Sequence, residues 1–174
     1  ICMLAVEAAI YQAIIDKGIT PDVTAGLSLG EYGALIASGA MTMADAFAVV
    51  RKRGIYMQEA VPTGGAMTAV LGLDPQVIED ICKKTADETN SVVSVANYNC
   101  PGQIVISGSI EGINKACELM KAAGAKRALP LKVGGAFHSP LMNPAKVELE
   151  AAINATEIHA PKCPVYQNVD ALPH

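Results

Sequence analysis

The chain has 174 residues, 51% of them apolar and 17% charged, with a net charge of −4, the balance of a globular protein with a sizeable core and not of a disordered chain. The acidic balance argues against nucleic acid as the main partner, and no run approaches the roughly 18 uninterrupted apolar residues of a membrane-spanning helix. Five cysteines, an odd number without a C-x-x-C pair, suit neither a disulfide framework nor a metal site, so a reducing cytoplasm is the expected setting.

Met3, Val6, Ala9, Ile10, Ala13 and Ile14 recur at helical spacing, so the chain opens inside a helix with no capping residue ahead of it. With no closing element after Pro173-His174, the sequence reads as an internal fragment of a longer protein. Lys17-Gly18 ends the first helix, and Ile19-Thr20-Pro21-Asp22 leads into a short β-branched stretch at Val23-Thr24. That stretch runs into Gly26-Leu27-Ser28-Leu29-Gly30, a G-x-S-x-G pattern, and then into a helix from about Tyr32 to Ser38 that ends at Gly39. Strand, tight turn and helix in this order are of α/β type. They suit a nucleophilic serine: Gly26 and Gly30 would let the strand and helix backbones approach, while Ser28 sits strained and exposed at a helix N-terminus. There the Leu29 N–H and the helix dipole could stabilise an oxyanion on a carbonyl attached to Ser28. The other reading is a glycine-rich turn whose serine caps a helix. A further helix begins near Thr42 and runs until Pro62 stops it; Arg53 and Met57, four apart on it, share a face.

From Thr63 the pattern changes. Strands at Met67–Leu73, Val92–Tyr98, Gln103–Ser107 and Arg127–Val133 alternate with helices at Pro75–Ala86 and Ile110–Ala123, a β-α-β-β-α-β order that predicts a ferredoxin-like unit. It is bounded by Thr63-Gly64-Gly65 and Gly134-Gly135, so residues 63–133 are expected to form a subdomain inserted into an α/β core made of residues 1–62 and 134–174. Lys121, Lys126, Arg127 and Lys132 crowd this stretch; a solvated face is the simpler reading and a docking site the other. The core resumes at Ala136-Phe137-His138-Ser139-Pro140, followed by a helix from about Pro144 to Ile153 and a strand at Val165–Val169. Of three histidines, His159 and His174 lie in unpatterned segments. His138 is the candidate base that a nucleophilic Ser28 needs at neutral pH, its other reading being an ordinary loop histidine.

Taken together, GLSLGEYGAL around Ser28, RKRGIYMQEAVP around Arg53, NYNCPGQIVISG, GGAFHSPLM around His138 and PVYQNVDA resemble the malonyl-CoA:acyl-carrier-protein transacylases and the acyltransferase domains of polyketide and fatty-acid synthases. The matches fall in order over nearly the whole chain, and the separations of Arg53 and His138 from Ser28 are also similar to the family's. The resemblance implies an α/β-hydrolase-like core with an inserted ferredoxin-like subdomain. It implies Ser28 as the acyl-accepting nucleophile, His138 as its base, Leu29 as an oxyanion donor and Arg53 as the clamp on the malonyl carboxylate, a role suited to a planar guanidinium. Phe137, with Leu29, would keep the acyl pocket narrow. Met57 would line the same pocket, and Asn99 and Gln103 would lie near the thioester and its pantetheine arm; core packing and turn formation are the other readings of these three. The implied partners are malonyl-CoA, as substrate, and an acyl carrier protein, with no cofactor, metal, membrane or nucleic acid.

The sequence departs from the family where Leu27 stands in place of the usual His. The glycine- and glutamine-rich loop that would give the second oxyanion N–H, and the segment that would orient His138, are not in this chain. An α/β-hydrolase esterase is the rival enzyme reading; esterases run Ser, then Asp or Glu, then His, whereas Asp170 here follows His138. A non-catalytic interaction module is the rival of another class.

Overall fold

Short-range signals in the sequence account for most element ends in the computed structural model, which describes all residues 1–174. In chain order the elements are α1 (Cys2–Ile15), β1 (Thr24–Ala25), α2 (Gly30–Ser38), α3 (Met43–Ala60), β2 (Gly65–Leu71), α4 (Pro75–Thr89), β3 (Val93–Cys100), β4 (Gln103–Ser109), α5 (Ile110–Ala122), β5 (Arg127–Pro130), a 3-10 turn at Pro140–Met142, α6 (Asn143–Asn154) and β6 (Val165–Tyr166). The class is α/β. Residue contacts divide the chain into two compact units, one of Ile1–Gly54 with Leu149–His174 and one of Ile55–Glu148. No helix is long and apolar enough to cross a membrane.

In the first unit, Gly18 at φ +78° ends α1, its N–H bonding Ile15 O while the Ile19 N–H bonds Ile14 O. The helix is apolar on nearly every side, so its periodicity does not decide which stripe packs. Leu4 and Ala8 are the buried residues, whereas Met3 and Val6, prominent in the sequence pattern, are 66% and 59% exposed. α2 ends where Gly39 takes the left-handed conformation at φ +77°. Thr42 caps α3: its Oγ1 accepts from the Asp45 N–H at 3.1 Å and donates to the Asp45 carboxylate. Leu4, Tyr32, Ile36, Met41, Ala46, Val49 and Val50 form one core. β1 pairs with β6 in parallel, Thr24 opposite Val165 and Ala25 opposite Tyr166. The strand expected at Val165–Val169 stops at Tyr166 because the chain turns back. The Gln167 N–H bonds Leu172 O, the Ala171 N–H bonds Gln167 O, and Val165 and His174 exchange both backbone bonds.

The second unit holds a four-stranded antiparallel sheet in the order β3-β4-β2-β5. Asp74 caps α4 by accepting the Gln76 N–H, ahead of Pro75 in the first turn, and Ser109 caps α5 by accepting the Gly112 N–H. Alternation along the strands separates two faces. Val70, Ile104 and Ile106 pack with Ile78 and Cys82 of α4 and with Ile113, Ala116 and Met120 of α5. Met67, Ala69 and Val105 point the other way and pack with Phe137. β5 is shorter than the expected Arg127–Val133: Pro130 has no N–H to give, and pairing with β2 closes on the Leu131 N–H to Met67 O. β3 runs on to Cys100, so the turn to β4 is Pro101-Gly102 alone, with Gly102 at φ +82°.

Burial within this core pushes the Cys82 thiol up to about 12, with smaller contributions from Cys117 and Glu79. Alkylation with iodoacetamide at pH 8 is expected to modify the exposed Cys100 in the native protein and to reach Cys82 only on unfolding, because the thiolate is the reacting form. Equal native rates at the two residues, read by peptide mass spectrometry, would show that α4 does not bury Cys82.

Candidate active site

A residue with a side chain rarely adopts positive φ, and Ser28 does so at φ +54°. It stands between β1 and α2, where such a conformation costs about 1–3 kcal/mol and persists only if its surroundings enforce it. The sequence supplies the first of these restraints. A Cβ on Gly26 would lie 2.0 Å from Gly30 O, so only glycine permits this closeness of the strand end and the helix start. Gly30 has no such role, since a Cβ there would meet nothing within 4 Å; the expectation that both glycines serve close approach holds for Gly26 alone. Tight bonds then lead into the helix, from the Gly30 N–H to Leu27 O, the Glu31 N–H to Ser28 O and the Tyr32 N–H to Leu29 O.

The second restraint comes from the far end of the chain. The Ser28 N–H donates to Asn168 Oδ1 at 2.5 Å, and Asn168 Nδ2 donates to Gly26 O at 2.6 Å. The third group is Arg53, whose Nη2 donates to Ser28 Oγ at 2.9 Å. Burial pushes the Tyr32 phenol up from its ordinary value, and the charge of Arg53 partly opposes that rise. Ser28, Leu29 and Arg53 are thus assembled in the first unit, with Leu29 at the N-cap position of α2. Leu27, the residue before Ser28, is 63% exposed. A cavity of about 610 Å³ between α1 and α2 is lined by Met3, Tyr11, Val23 and Gly33 among others, but not by Ser28 or Arg53.

The other candidates belong to the second unit. His138 is exposed and also left-handed, at φ +58°. Its neighbours fix the backbone around it. Ala136 and Ser139 are buried, Ser139 Oγ donates to Ala136 O at 2.7 Å, and the Met142 N–H closes the following 3-10 turn on Ser139 O. Phe137 is half-buried against Met67, Ala69 and Val105. A Cβ on Gly135 would lie 2.7 Å from the Phe137 ring, and one on Gly65 would lie 2.5 Å from the Ala136 N, so both glycines permit close packing here. Met57 is half-buried one turn beyond Arg53 on α3. Asn99 is exposed in β3, outside the Pro101-Gly102 turn, so turn formation does not account for it. Gln103 opens β4, with the Cys100 thiol 3.7 Å from its Oε1. No group of three or more His, Cys, Asp or Glu side chains is arranged to hold a metal ion.

The acyl transferase domain family matches the chain over residues 1–174. The chain belongs to this family. It is 50% identical over 170 residues to the malonyl CoA-acyl carrier protein transacylase of Bacillus subtilis, a match that covers 97% of this chain and 53% of that protein. The Staphylococcus aureus protein of the same name is 44% identical, over 97% of this chain and 54% of its own length. Among solved structures, the malonyl CoA-acyl carrier protein transacylase of Coxiella burnetii superposes with a TM-score of 0.94 at 44% identity, covering 98% of this chain and 54% of its own. A malonyl-transacylase solved in complex with a type II polyketide synthase acyl-carrier protein gives 0.94 at 43% identity, over 98% of this chain and 55% of that one. The chain spans about half the length of the curated relatives it matches.

Asn168 is the residue that reading the sequence missed. It lies in the PVYQNVDA motif, where the pattern predicts a strand, whereas the strand ends at Tyr166 and leaves Asn168 on the turn that follows. No local pattern flags it, because the turn it bonds lies 140 residues earlier in the chain.

The two glycines of the turn give a test. Gly26→Ala should destabilise the protein by roughly 1–3 kcal/mol through overpacking, whereas Gly30→Ala, in a helical conformation with open space, should be neutral or stabilising by up to about 1 kcal/mol. Denaturant titration of both variants measures this, and equal losses would contradict the close approach at Gly26.

Proposed function

We propose that the protein containing this chain moves a malonyl group from coenzyme A to the pantetheine thiol of an acyl carrier protein, through an ester on Ser28, in fatty acid or polyketide biosynthesis. The observation that carries this reading is a permanent cation 2.9 Å from the oxygen of a serine held at positive φ, in a chain of the acyl transferase family. In a malonyl ester the free carboxylate stands one methylene beyond the acyl carbon, so a guanidinium that reaches Oγ before acylation lies within range of that carboxylate after it. Arginine offers two parallel charge-assisted hydrogen bonds for it.

In this reading His138 accepts the Ser28 proton as Oγ attacks the thioester carbonyl. Collapse of the tetrahedral adduct breaks the C–S bond, and His138 returns the proton to the departing CoA thiolate. In the second half-reaction His138 takes the proton of the pantetheine thiol, the sulfur attacks the ester carbonyl, the C–O bond to Ser28 breaks, and His138 passes the proton to the departing Oγ. The Leu29 N–H, at the start of α2, stabilises the oxyanion in both steps. Phe137 and Met57 shape the acyl pocket, and Asn99 and Gln103 contact the thioester and pantetheine arm. No cofactor is required by these steps. The carrier partner is supported by the solved complex of one relative, a malonyl-transacylase bound to an acyl-carrier protein. The esterase alternative needs an acid to orient the histidine, and Asp170, the candidate after His138, is already engaged by the Leu172 N–H and His174, which hold its carboxyl below the usual range.

The same reading takes the architecture as an α/β-hydrolase-like core, residues 1–62 and 134–174, with a ferredoxin-like subdomain at 63–133. The strand order β3-β4-β2-β5 and the β-α-β-β-α-β sequence of elements support it. Five free cysteines suit a reducing, cytoplasmic setting.

Incubation of the full-length protein with malonyl-CoA should add one malonyl group to Ser28, seen by peptide mass spectrometry and absent in Ser28→Ala; labelling that survives this substitution would remove the nucleophile assignment. Substrate choice tests Arg53. Loss of charge-assisted bonds worth roughly 1.5–3 kcal/mol should lower malonyl loading at least about tenfold in Arg53→Ala, while acetyl loading, with no carboxylate to hold, stays level or rises. Arg51→Ala, on an exposed face of the same helix, is the control. Equal losses for malonyl and acetyl would show Arg53 to be structural.

A further inference from the structure

We propose that Asn168 is a positioning residue for acyl transfer: its carboxamide clasps the nucleophile turn from both sides and withdraws the Ser28 N–H from the oxyanion site, leaving the Leu29 N–H as the donor that this turn gives to it. The inference deepens the transacylase reading and rests on Ser28 being the nucleophile.

Two bonds carry it. The Ser28 N–H donates to Asn168 Oδ1 at 2.5 Å, and Asn168 Nδ2 donates to Gly26 O at 2.6 Å. One planar amide therefore spans the residue before and the residue after Leu27, across the point where the chain reverses from β1 into α2. Only one orientation of the amide satisfies both partners, because a backbone N–H needs the oxygen and a backbone carbonyl needs the nitrogen. Asn168 reaches the turn because β6 pairs with β1 in register, Ala25 opposite Tyr166, and the chain leaves the sheet just after that pair. The bonds join residues about 140 positions apart in sequence, so they form only when the tertiary fold does.

The consequence concerns the oxyanion. Some serine enzymes stabilise the tetrahedral adduct with the nucleophile's own N–H. Here that N–H is committed to Asn168, and the next but one, on Gly30, is committed to Leu27 O. The Leu29 N–H lies between them, outside both bonds, at the positive end of α2. Asn168 thus does two things at once: it holds Ser28 at φ +54°, and it determines which backbone donor meets the developing charge. Neither task touches the acyl carboxylate, which Arg53 holds, so Asn168 should act on the rate of acylation and not on the choice of acyl group.

Substitution by aspartate separates this role from general stability. An aspartate at position 168 keeps an acceptor for the Ser28 N–H but, when ionised, has no donor for Gly26 O; once protonated it regains one. The full-length Asn168→Asp and Asn168→Ala proteins should be compared with wild type in single-turnover acylation by malonyl-CoA and acetyl-CoA from pH 8 down to about pH 3, through the ordinary aspartate range at about 3.9. Misplacing the nucleophile should slow acylation by Asn168→Ala about ten- to a hundredfold. KM for malonyl-CoA and the malonyl-to-acetyl preference should stay within about threefold, since the Arg53 contacts remain. The ratio of Asn168→Asp to wild-type rates should rise as pH falls through the carboxyl range, while the Asn168→Ala ratio stays flat. The charged and titratable groups on the elements around Asn168 are Arg53 on α3, Glu31 and Tyr32 on α2, and Asp170 and His174 on its own loop; Asn168→Ala, which lacks the carboxyl, is the control for their part in the pH response.

Amide hydrogen exchange at Ser28 gives a readout independent of turnover, with protection lost in Asn168→Ala. An Asn168→Ala protein that acylates at the wild-type rate, or an aspartate ratio flat with pH, overturns the proposal. Should Asn168→Ala fail to fold, the pH response of Asn168→Asp still decides it. A wild-type protein that never acylates Ser28 removes the reading underneath, whereas normal wild-type acylation with an indifferent Asn168 removes this proposal alone.

Discussion

The backbone of Ser28 is the constraint on which the rest of the first unit depends. A left-handed serine is disfavoured by about 1–3 kcal/mol, so it stays in place only where neighbouring groups leave it no alternative. Three kinds of restraint converge on it. Gly26 admits a strand-to-helix approach that no Cβ could share, the first turn of α2 draws in the backbone on one side, and the Asn168 amide bridges Gly26 and Ser28 on the other. Each depends on a different part of the sequence, and the short β1–β6 pairing is what brings the last of them into range.

Charge is then added to a turn already fixed. The reciprocal Thr42–Asp45 cap begins α3 at a defined residue, and Ala46, Val49 and Val50 set the buried face of that helix. With the start and phase of α3 fixed, Arg53 is presented to Ser28 Oγ while Arg51 faces solvent. The same cation acts on Tyr32, whose phenol burial pushes up while the Arg53 charge partly opposes that rise.

The second unit applies the same device to the residue proposed as base. His138 is left-handed too, and it is flanked by a buried Ala136, a Ser139 hydroxyl turned onto the backbone and a Phe137 ring packed on Met67, Ala69 and Val105. The antiparallel sheet has two apolar faces for this reason. One carries α4 and α5, and the other gives Phe137 its seat. Both residues to which the family resemblance assigns the proton transfer thus sit at positive φ in tightly packed turns, each restrained by its own unit.

Much of this was legible in the sequence because it depends on near neighbours. The G-x-S-x-G turn, the start of α3 near Thr42, the stops at Gly18 and Gly39 and the alternating strands and helices of residues 65–130 are all set by local backbone preference and side-chain spacing. The motifs around Ser28, Arg53 and His138 pointed to the family for the same reason, since each is a short run of residues with a local duty. Local pattern was silent or misleading wherever a distant partner decides. Met3 and Val6 of α1 match a core stripe and are exposed, β5 and β6 end early on bonds from Leu131 and Gln167, and Gly30 proved free of the close contact that Gly26 makes. The Asn168 clasp and the Arg53–Ser28 bond join residues far apart in the chain. The sequence by itself determined the elements and the chemical groups available, because helix and strand formation are decided within a few residues. Only the tertiary structure decided which groups meet, because pairing β1 with β6 and packing α3 on α2 are what close the long loops between them.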